Sequence, residues 1–286
     1  MRSEAEDPTA GAEPLSPWPR AWLFTPADDA RKLEAATRSG AGAVIADLED
    51  SVAPERKQVA REGALAFLEH GAGTRAPLRI VRINDPRSEQ GLLDLERIRD
   101  GDPAAVMIPK ASISTLELAA AAGLPVIALV ESAGGIAEVE QIALREEVVA
   151  IAIGTVDLAA DLGLGELPGG LELLYARSRL VLACALGGIS AIDGVHLSVA
   201  DRDGLRSQAR SARALGFAAK LCIHPAQLEI VREAFTPTAA ELELARSSVE
   251  AYERSLASGR GVTLAGGEMV DRATVRRARR VLESAD

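Results

Sequence analysis

From Ala21 onward, short apolar runs rich in β-branched residues alternate with longer Ala/Leu/Arg/Glu stretches whose apolar positions recur at helical spacing. The first run, Ala21–Pro26, is followed by a helical stretch at Ala30–Ser39. The second, Ala43–Asp47, precedes a helix at Pro54–Glu69, with Pro54 suited to its first turn. Four further pairs follow: Leu78–Asn84 with Leu92–Arg99, Ala105–Pro109 with Ser114–Ala122, Val126–Glu131 with Ile136–Leu144, and Val148–Gly154 with Leu171–Leu186. Ser190–His196 with Arg202–Leu215 and Lys220–His224 with Pro225–Phe235 complete eight strand–helix units. Strands that are apolar along their whole length and joined by crossover helices predict a parallel sheet covered by helices. Eight units in about 215 residues predict closure into a (β/α)8 TIM barrel rather than an open doubly wound sheet. Two segments are surplus to that barrel: a charged amphipathic helix at Thr238–Ala257, and Gly261–Asp286, which holds a Gly266-Gly267 turn and another helix. The expected division is a disordered leader over 1–17, the barrel over 18–236, and a helical tail over 237–286.

Composition narrows the function classes. A formal net charge of −10 argues against general attraction to nucleic acid. The block Arg276–Arg280 reads as a solvated helix face. The acidic, Pro-containing start lacks the basic and apolar regions of a signal peptide, and no apolar run approaches the ~18 residues of a membrane span. Cys184 and Cys222 both sit in apolar stretches and read as small buried hydrophobes of a reducing compartment. The expected location is the cytoplasm.

In a barrel of this kind the active site lies at the C-terminal ends of the strands, and polar residues collect there. Strand two ends in Asp47-Leu48-Glu49-Asp50, strand three in Arg82-Ile83-Asn84, strand four in Pro109-Lys110, strand five in Glu131-Ser132, and strand six in Gly154-Thr155-Val156-Asp157. Carboxylates such as Glu131 and Asp157 must be solvated, paired or bound to a cation there. Two on neighbouring strands suit a hard divalent ion that keeps several waters, magnesium first and manganese next. Helix capping or pairing with arginine is the alternative. Zinc is poorly supported, since there are three histidines and no metal-spaced Cys/His cluster. Arg82 has the planar fork to hold a substrate carboxylate or an enolate, or else pairs with the Asp47–Asp50 cluster. The two roles are compatible. Glu49 and Asp50 are candidates for orienting metal waters or Arg82, with a helix cap as the alternative for Asp50. Lys110, one of four lysines against twenty-eight arginines, raises a Schiff-base alternative. Lys220 begins its strand and is expected near the opposite, stability face. His224 reads as a strand-end histidine fixing the last loop, and His196 has no assigned role. Gly163-Leu-Gly165 lacks the spacing of a phosphate loop.

At these residues the chain resembles the HpcH/HpaI aldolase and citrate lyase β-subunit family, in its CitE-like branch. The matching stretches are Trp22-Leu-Phe-Thr-Pro26, Val44-Ile-Ala-Asp-Leu-Glu-Asp50, Val81-Arg-Ile-Asn84, Val106-Met-Ile-Pro-Lys110, Leu129-Val-Glu-Ser132 and Ile153-Gly-Thr-Val-Asp-Leu158. Ala191-Ile-Asp-Gly-Val195, Leu215-Gly-Phe217, Leu221-Cys-Ile-His-Pro-Ala-Gln227 and, in the tail, Gly267-Glu-Met-Val-Asp271 continue them in order. The resemblance implies that Glu131 and Asp157 are magnesium ligands, that Arg82 binds carboxylate and enolate, and that Asp271 enters a neighbouring subunit's site as acid/base. Glu49 and Asp50 are expected to take part in catalysis, and Gly154, Thr155 and Val156 to line the substrate. The resemblance further implies an obligate oligomer, a homotrimer or dimer of trimers, with the tail packed on a neighbour. Three positions depart from the family pattern: Pro26-Ala-Asp28 where Pro-Gly-Asp is common, Val156 in place of an acidic residue, and Arg272-Ala273 where a proline often follows the tail aspartate.

The activity implied is cleavage of a 3-hydroxyacyl-CoA (malyl-, citramalyl- or citryl-CoA-like) into an acyl-CoA and a 2-oxo acid, with CoA entering as part of the substrate. Malate synthase-like condensation with thioester hydrolysis, a metal-dependent aldolase on a free hydroxy acid, and a partner-dependent subunit of a larger lyase are the alternatives.

Overall fold

The computed structural model describes residues 18–69, 76–165 and 167–285; the expected leader over 1–17 lies outside them. Eight parallel strands close on themselves in sequence order, β1 to β8. In chain order the elements are β1 (Ala21–Pro26), α1 (Ala30–Arg38), β2 (Ala43–Asp47), α2 (Lys57–Glu69), β3 (Leu78–Arg82), α3 (Glu89–Ile98), β4 (Ala105–Ile108), α4 (Ile113–Ala120) and β5 (Val126–Val130). They continue with α5 (Ala133–Ala137), α6 (Val139–Ala143), β6 (Val148–Ile153), α7 (Thr155–Asp161), α8 (Leu174–Gly187), β7 (Ser190–Asp193), α9 (Arg202–Leu215), β8 (Ala219–Cys222) and α10 (Leu228–Phe235).

The apolar runs lack polar alternation because both strand faces are covered. In β2, Ala43 and Ile45 join Trp22, Ile80, Met107, Ile127, Leu129 and Leu221 in the barrel interior. Val44 and Ala46 point outward, into the layer formed with helix residues such as Ala36, Ala64 and Leu95. Trp22 is fully buried, and its indole donates to the Pro19 carbonyl at 2.5 Å.

Several expectations change in detail. The helix expected over Ile136–Leu144 is two short helices, α5 and α6, that meet at Glu138, whose ψ of 2° departs from helical geometry. Directly after β6, where no helix was expected before Leu171, α7 begins within two residues. Strands β3, β7 and β8 stop at Arg82, Asp193 and Cys222, short of Asn84, His196 and His224, because side chains take over the backbone partners there. Asp94 accepts from both the main-chain N–H and the amide of Asn84, and buried Gln227 accepts from the Ile223 N–H while donating to the His196 carbonyl. Lys220 is not at the stability face. The stagger of the barrel pairs it with Asp193, the last residue of β7, and its buried ammonium, on the strand face opposite Ala219 and Leu221, donates to Asp193 Oδ2 at 2.7 Å and to the Gly194 carbonyl at 2.6 Å.

Residues Thr236–Asp286 form a second compact unit. It holds α11 (Ala239–Ala257), an antiparallel hairpin of β9 (Thr263–Ala265) and β10 (Glu268–Val270), and α12 (Arg272–Glu283). The hairpin was not anticipated. Its two-residue turn places Gly266 and Gly267 at φ 58° and 85°, the left-handed pair a tight primed turn requires. Tyr252, Ala265, Val270 and Val275 make a small core of this unit.

Candidate active site at the barrel mouth

Arg82 ends β3, and its main-chain partner is Asp47 at the end of β2. Its guanidinium grips the Asp47 carboxylate at both ends, Nε to Oδ1 at 2.6 Å and Nη2 to Oδ2 at 2.7 Å, and lies over the Phe24 ring at 4.8 Å. Asp47 is held in turn by the N–H groups of Glu49 and Ser51. Burial works to raise its pKa, but the Arg82 hydrogen bonds and charge win and keep the carboxyl below its ordinary range. The structural ion pair weighed for Arg82 is therefore present, and it consumes two of the three guanidinium nitrogens. The third, Nη1, faces Glu49 Oε2 at 3.1 Å and Asp50 Oδ2 at 3.5 Å. The Glu49 contact is an ion pair without hydrogen-bond geometry, since Glu49 Oε2 is buried with no hydrogen-bond partner. Burial lifts the Glu49 carboxyl to about 7 against the pull of Arg82. Asp50 is exposed and caps no helix; Ala53 takes that position ahead of the 3-10 turn Pro54–Arg56.

Lys110 follows β4 with φ of 50°, a left-handed conformation unusual for a side chain other than glycine. That turn aims its N–H at Glu131 Oε1, 2.8 Å away, while its ammonium stands 3.4 Å from Glu49 Oε1. Burial pulls the ammonium pKa down, but the Glu49 carboxylate outweighs it and the net shift is upward, away from the neutral amine a Schiff base needs.

Glu131 is the first residue past β5 and is buried. Burial pushes its carboxyl up to about 8; the Lys110 N–H opposes that rise, and the neighbouring Glu49 and Asp157 carboxylates add to it. Asp157 sits in the first turn of α7, exposed, and Gly154 precedes that helix with no side chain capping its N-terminus. Gly154 is required by space: a Cβ there would stand 2.5 Å from Glu131 Cβ and 2.6 Å from its Oε2. Thr155 and Val156 open α7 between the two carboxylates, and Val156 is exposed.

Glu49, Asp157 and Arg82 are thus all close enough to act on the Glu131 carboxyl. A buried carboxyl beside two others is an environment short of positive charge, and Glu131 with Asp157 offers only oxygen donors, which fits magnesium. Among the described residues no three His, Cys, Asp or Glu side chains form a protein-only metal cage. An ion that keeps waters and takes substrate oxygens needs only the two carboxylates. Because Glu131 holds a proton below about 8, a magnesium ion bound there would have to displace it. Magnesium affinity is expected to rise with pH up to about 8 and to level off above it, which calorimetry in buffers of differing ionisation enthalpy will read as proton release.

Asp271 belongs to the tail unit, where it is the N-cap of α12. Its Oδ1 accepts from the N–H groups of Ala273 and Thr274, and Thr274 completes a capping box. The Thr274 hydrogen bonds come first in holding its carboxyl below the ordinary range, so in this setting it is ionised. His196 bonds Gln208 at 3.0 Å and faces Asp201 at 3.5 Å, and His224 caps the 3-10 turn Pro225–Gln227. Both histidines serve loops. Sequence reasoning missed Lys57, whose ammonium donates to the Leu48 and Glu49 carbonyls at 2.7 Å each and so shapes the loop carrying Glu49. Its place on the first turn of α2 after an acidic strand end was the available signal.

Comparison with known proteins gives the family. The sequence profile of the HpcH/HpaI aldolase/citrate lyase family matches residues 20–225. The chain is 36% identical over 270 residues to a (3S)-malyl-CoA thioesterase of Cereibacter sphaeroides, covering 93% of this chain and 94% of that protein. It is 33% identical over 282 residues to the citrate lyase β subunit of Escherichia coli, covering 93% of each. Among solved structures, CitE of Mycobacterium tuberculosis in complex with magnesium, acetoacetate and coenzyme A superposes with a TM-score of 0.78 at 35% identity, covering 93% of this chain and 98% of that one. The chain belongs to the HpcH/HpaI aldolase/citrate lyase family.

Proposed function

We propose that this chain cleaves a 3-hydroxyacyl-CoA, malyl-, citramalyl- or citryl-CoA-like, into an acyl-CoA and a 2-oxo acid by reversible retro-aldol chemistry with magnesium, manganese being a substitute. The observation that carries the reading is the oxygen-only pair Glu131 and Asp157 set beside a buried arginine whose remaining nitrogen faces the mouth. Glu131 and Asp157 would hold magnesium, which would supply Lewis-acid polarisation to the 2-oxo acid half. The chain's own groups do the rest. Glu49, poised near neutrality, takes the proton of the 3-hydroxyl. The C2–C3 bond breaks, its electron pair passes into the thioester as an enolate, and Arg82 Nη1 offsets that charge. Asp271, ionised as it stands, relays a solvent proton to C2, and Gly154, Thr155 and Val156 line the substrate. Arg82 is preorganised for this, because the Asp47 clamp leaves its fork no rotational freedom to lose.

The tail is proposed to deliver Asp271 to a neighbour within a homotrimer or a dimer of trimers, and a cytoplasmic location accords with CoA thioesters and two free cysteines. Among the described residues no helix is long and apolar enough to cross a membrane. Hydrolysis of the thioester is the second reading, favoured by the 36% identity to (3S)-malyl-CoA thioesterases. A partner-dependent subunit is the third, favoured by the citrate lyase β subunit likeness.

The test is a panel of 3-hydroxyacyl-CoA thioesters with magnesium, following 2-oxo acid and free CoA separately, with Asp271→Asn and Glu131→Gln made alone and co-expressed. Each variant is expected to be inactive by itself, and the hybrid oligomer to regain a fraction of turnover, since some sites combine an intact Glu131 with a neighbour's intact Asp271. Free CoA without 2-oxo acid moves the assignment to the thioesterase. Hybrids as inactive as the parents remove the neighbour's role.

A further inference from the structure

Resting on that reading, we propose that Gly194 and Lys220 are positioning residues for the metal: they seat Thr155, and through it Asp157, at the exit of β6. Gly194 is the first residue beyond β7, and its backbone is not in the left-handed region. Glycine is needed there for space. A Cβ on Gly194 would stand 2.5 Å from Thr155 Oγ1, 2.7 Å from Thr155 Cγ2 and 2.9 Å from the Ile153 carbonyl. The Thr155 side chain therefore rests on the bare face of Gly194, two residues before Asp157 in the same helical turn. On the other flank, Gly154 lies against Glu131 through the same absence of a Cβ. The β6 exit is wedged between the β5 and β7 exits by two glycines, and that fixes how far Asp157 stands from Glu131.

The seat itself is clamped. Lys220, 2% exposed, donates to the Gly194 carbonyl at 2.6 Å and to Asp193 Oδ2 at 2.7 Å. Arg177 holds the other oxygen of Asp193, with Nη2 to Oδ1 at 2.9 Å, and its guanidinium lies over the Phe217 ring at 5.3 Å. Two buried cations thus immobilise the end of β7 at the point where Thr155 rests. None of these groups is a metal ligand in the reading above; they act on the site through Thr155. Partners at this remove typically change metal affinity ten- to a hundredfold when lost.

The experiment is Mn2+ titration of the full-length protein followed by electron paramagnetic resonance, using Gly194→Ala, Thr155→Ala, the double variant, Lys220→Met and Asp157→Asn, with melting curves in EDTA. Gly194→Ala is expected to weaken Mn2+ binding about tenfold or more. The double variant is expected to regain part of that affinity, because Thr155→Ala removes both atoms nearest the new methyl and leaves the Ile153 carbonyl at 2.9 Å. Lys220→Met is expected to weaken binding in the same direction; since it leaves a buried aspartate with one partner fewer and can lower the melting point, the charge-neutral Gly194→Ala carries the decision. Parent-like Mn2+ affinity in Gly194→Ala overturns the inference while leaving the metal site intact. A loss that Thr155→Ala does not relieve overturns it as well, since the effect then bypasses Thr155. If Asp157→Asn binds Mn2+ as the parent does, the metal assignment itself fails, and this inference with it.

Discussion

Glu131→Gln and Asp157→Asn are each expected to lower magnesium-dependent turnover by about a thousandfold, the loss that follows when several kcal/mol of Lewis-acid stabilisation disappear. Steady-state kinetics over a magnesium titration measure it, and turnover within tenfold of the parent contradicts the ligand assignment. The same Glu131 variant separates chemistry from folding. With its carboxyl raised to about 8, the metal-free folded chain binds more protons there than the unfolded chain between the ordinary carboxylate pKa and about 8. Stability therefore falls as pH rises through that window. Glu131→Gln removes the titrating group, so its melting temperature in EDTA is expected to match or exceed the parent's at pH 8.

Arg82→Met is expected to act in the opposite way, on stability and turnover together. Its loss strands Asp47, 1% exposed by side chain, without its two-point partner. Breaking a buried pair by removing one partner costs about 3–5 kcal/mol, which in a domain of this size lowers the melting temperature by about 10 °C. Assayed well below that transition, kcat is expected to fall about a hundredfold or more, the effect of deleting a donor aimed at developing negative charge. Arg82→Lys is the informative companion. It restores a charge but not the fork that engages Asp47 at two points while presenting Nη1 to the mouth. Stability is expected to recover in part and kcat hardly at all. Full recovery of kcat with lysine makes Arg82 a generic cation and removes its directed role.

The barrel was legible because eight apolar runs have no reason to be apolar on both faces unless helices cover them. The mouth was legible because strand ends there carry charge that a core does not tolerate. What the sequence left open depends on distances between segments remote in the chain. Nothing local to Lys110 reveals that its N–H is turned onto Glu131 in a left-handed conformation. Nothing local to Lys220 reveals that the stagger of the strands lifts its ammonium to the level of Gly194. The hairpin of β9 and β10 was obscured by its shortness, three residues on either side of a glycine pair. Asp271 was singled out by resemblance alone, and in its own unit it is bound up in a helix cap, so composition and spacing give it no distinctive mark.

The most direct measurement is cleavage of a 3-hydroxyacyl-CoA in deuterium oxide, with and without EDTA, read by mass spectrometry of every CoA species. Retro-aldol cleavage leaves an enolate that takes one solvent deuteron at C2, so the acyl-CoA product is expected to carry one deuterium and to appear in equal amount with the 2-oxo acid, only when magnesium is present. Free CoA released with the carbon chain intact, or acyl-CoA formed equally in EDTA, contradicts the account.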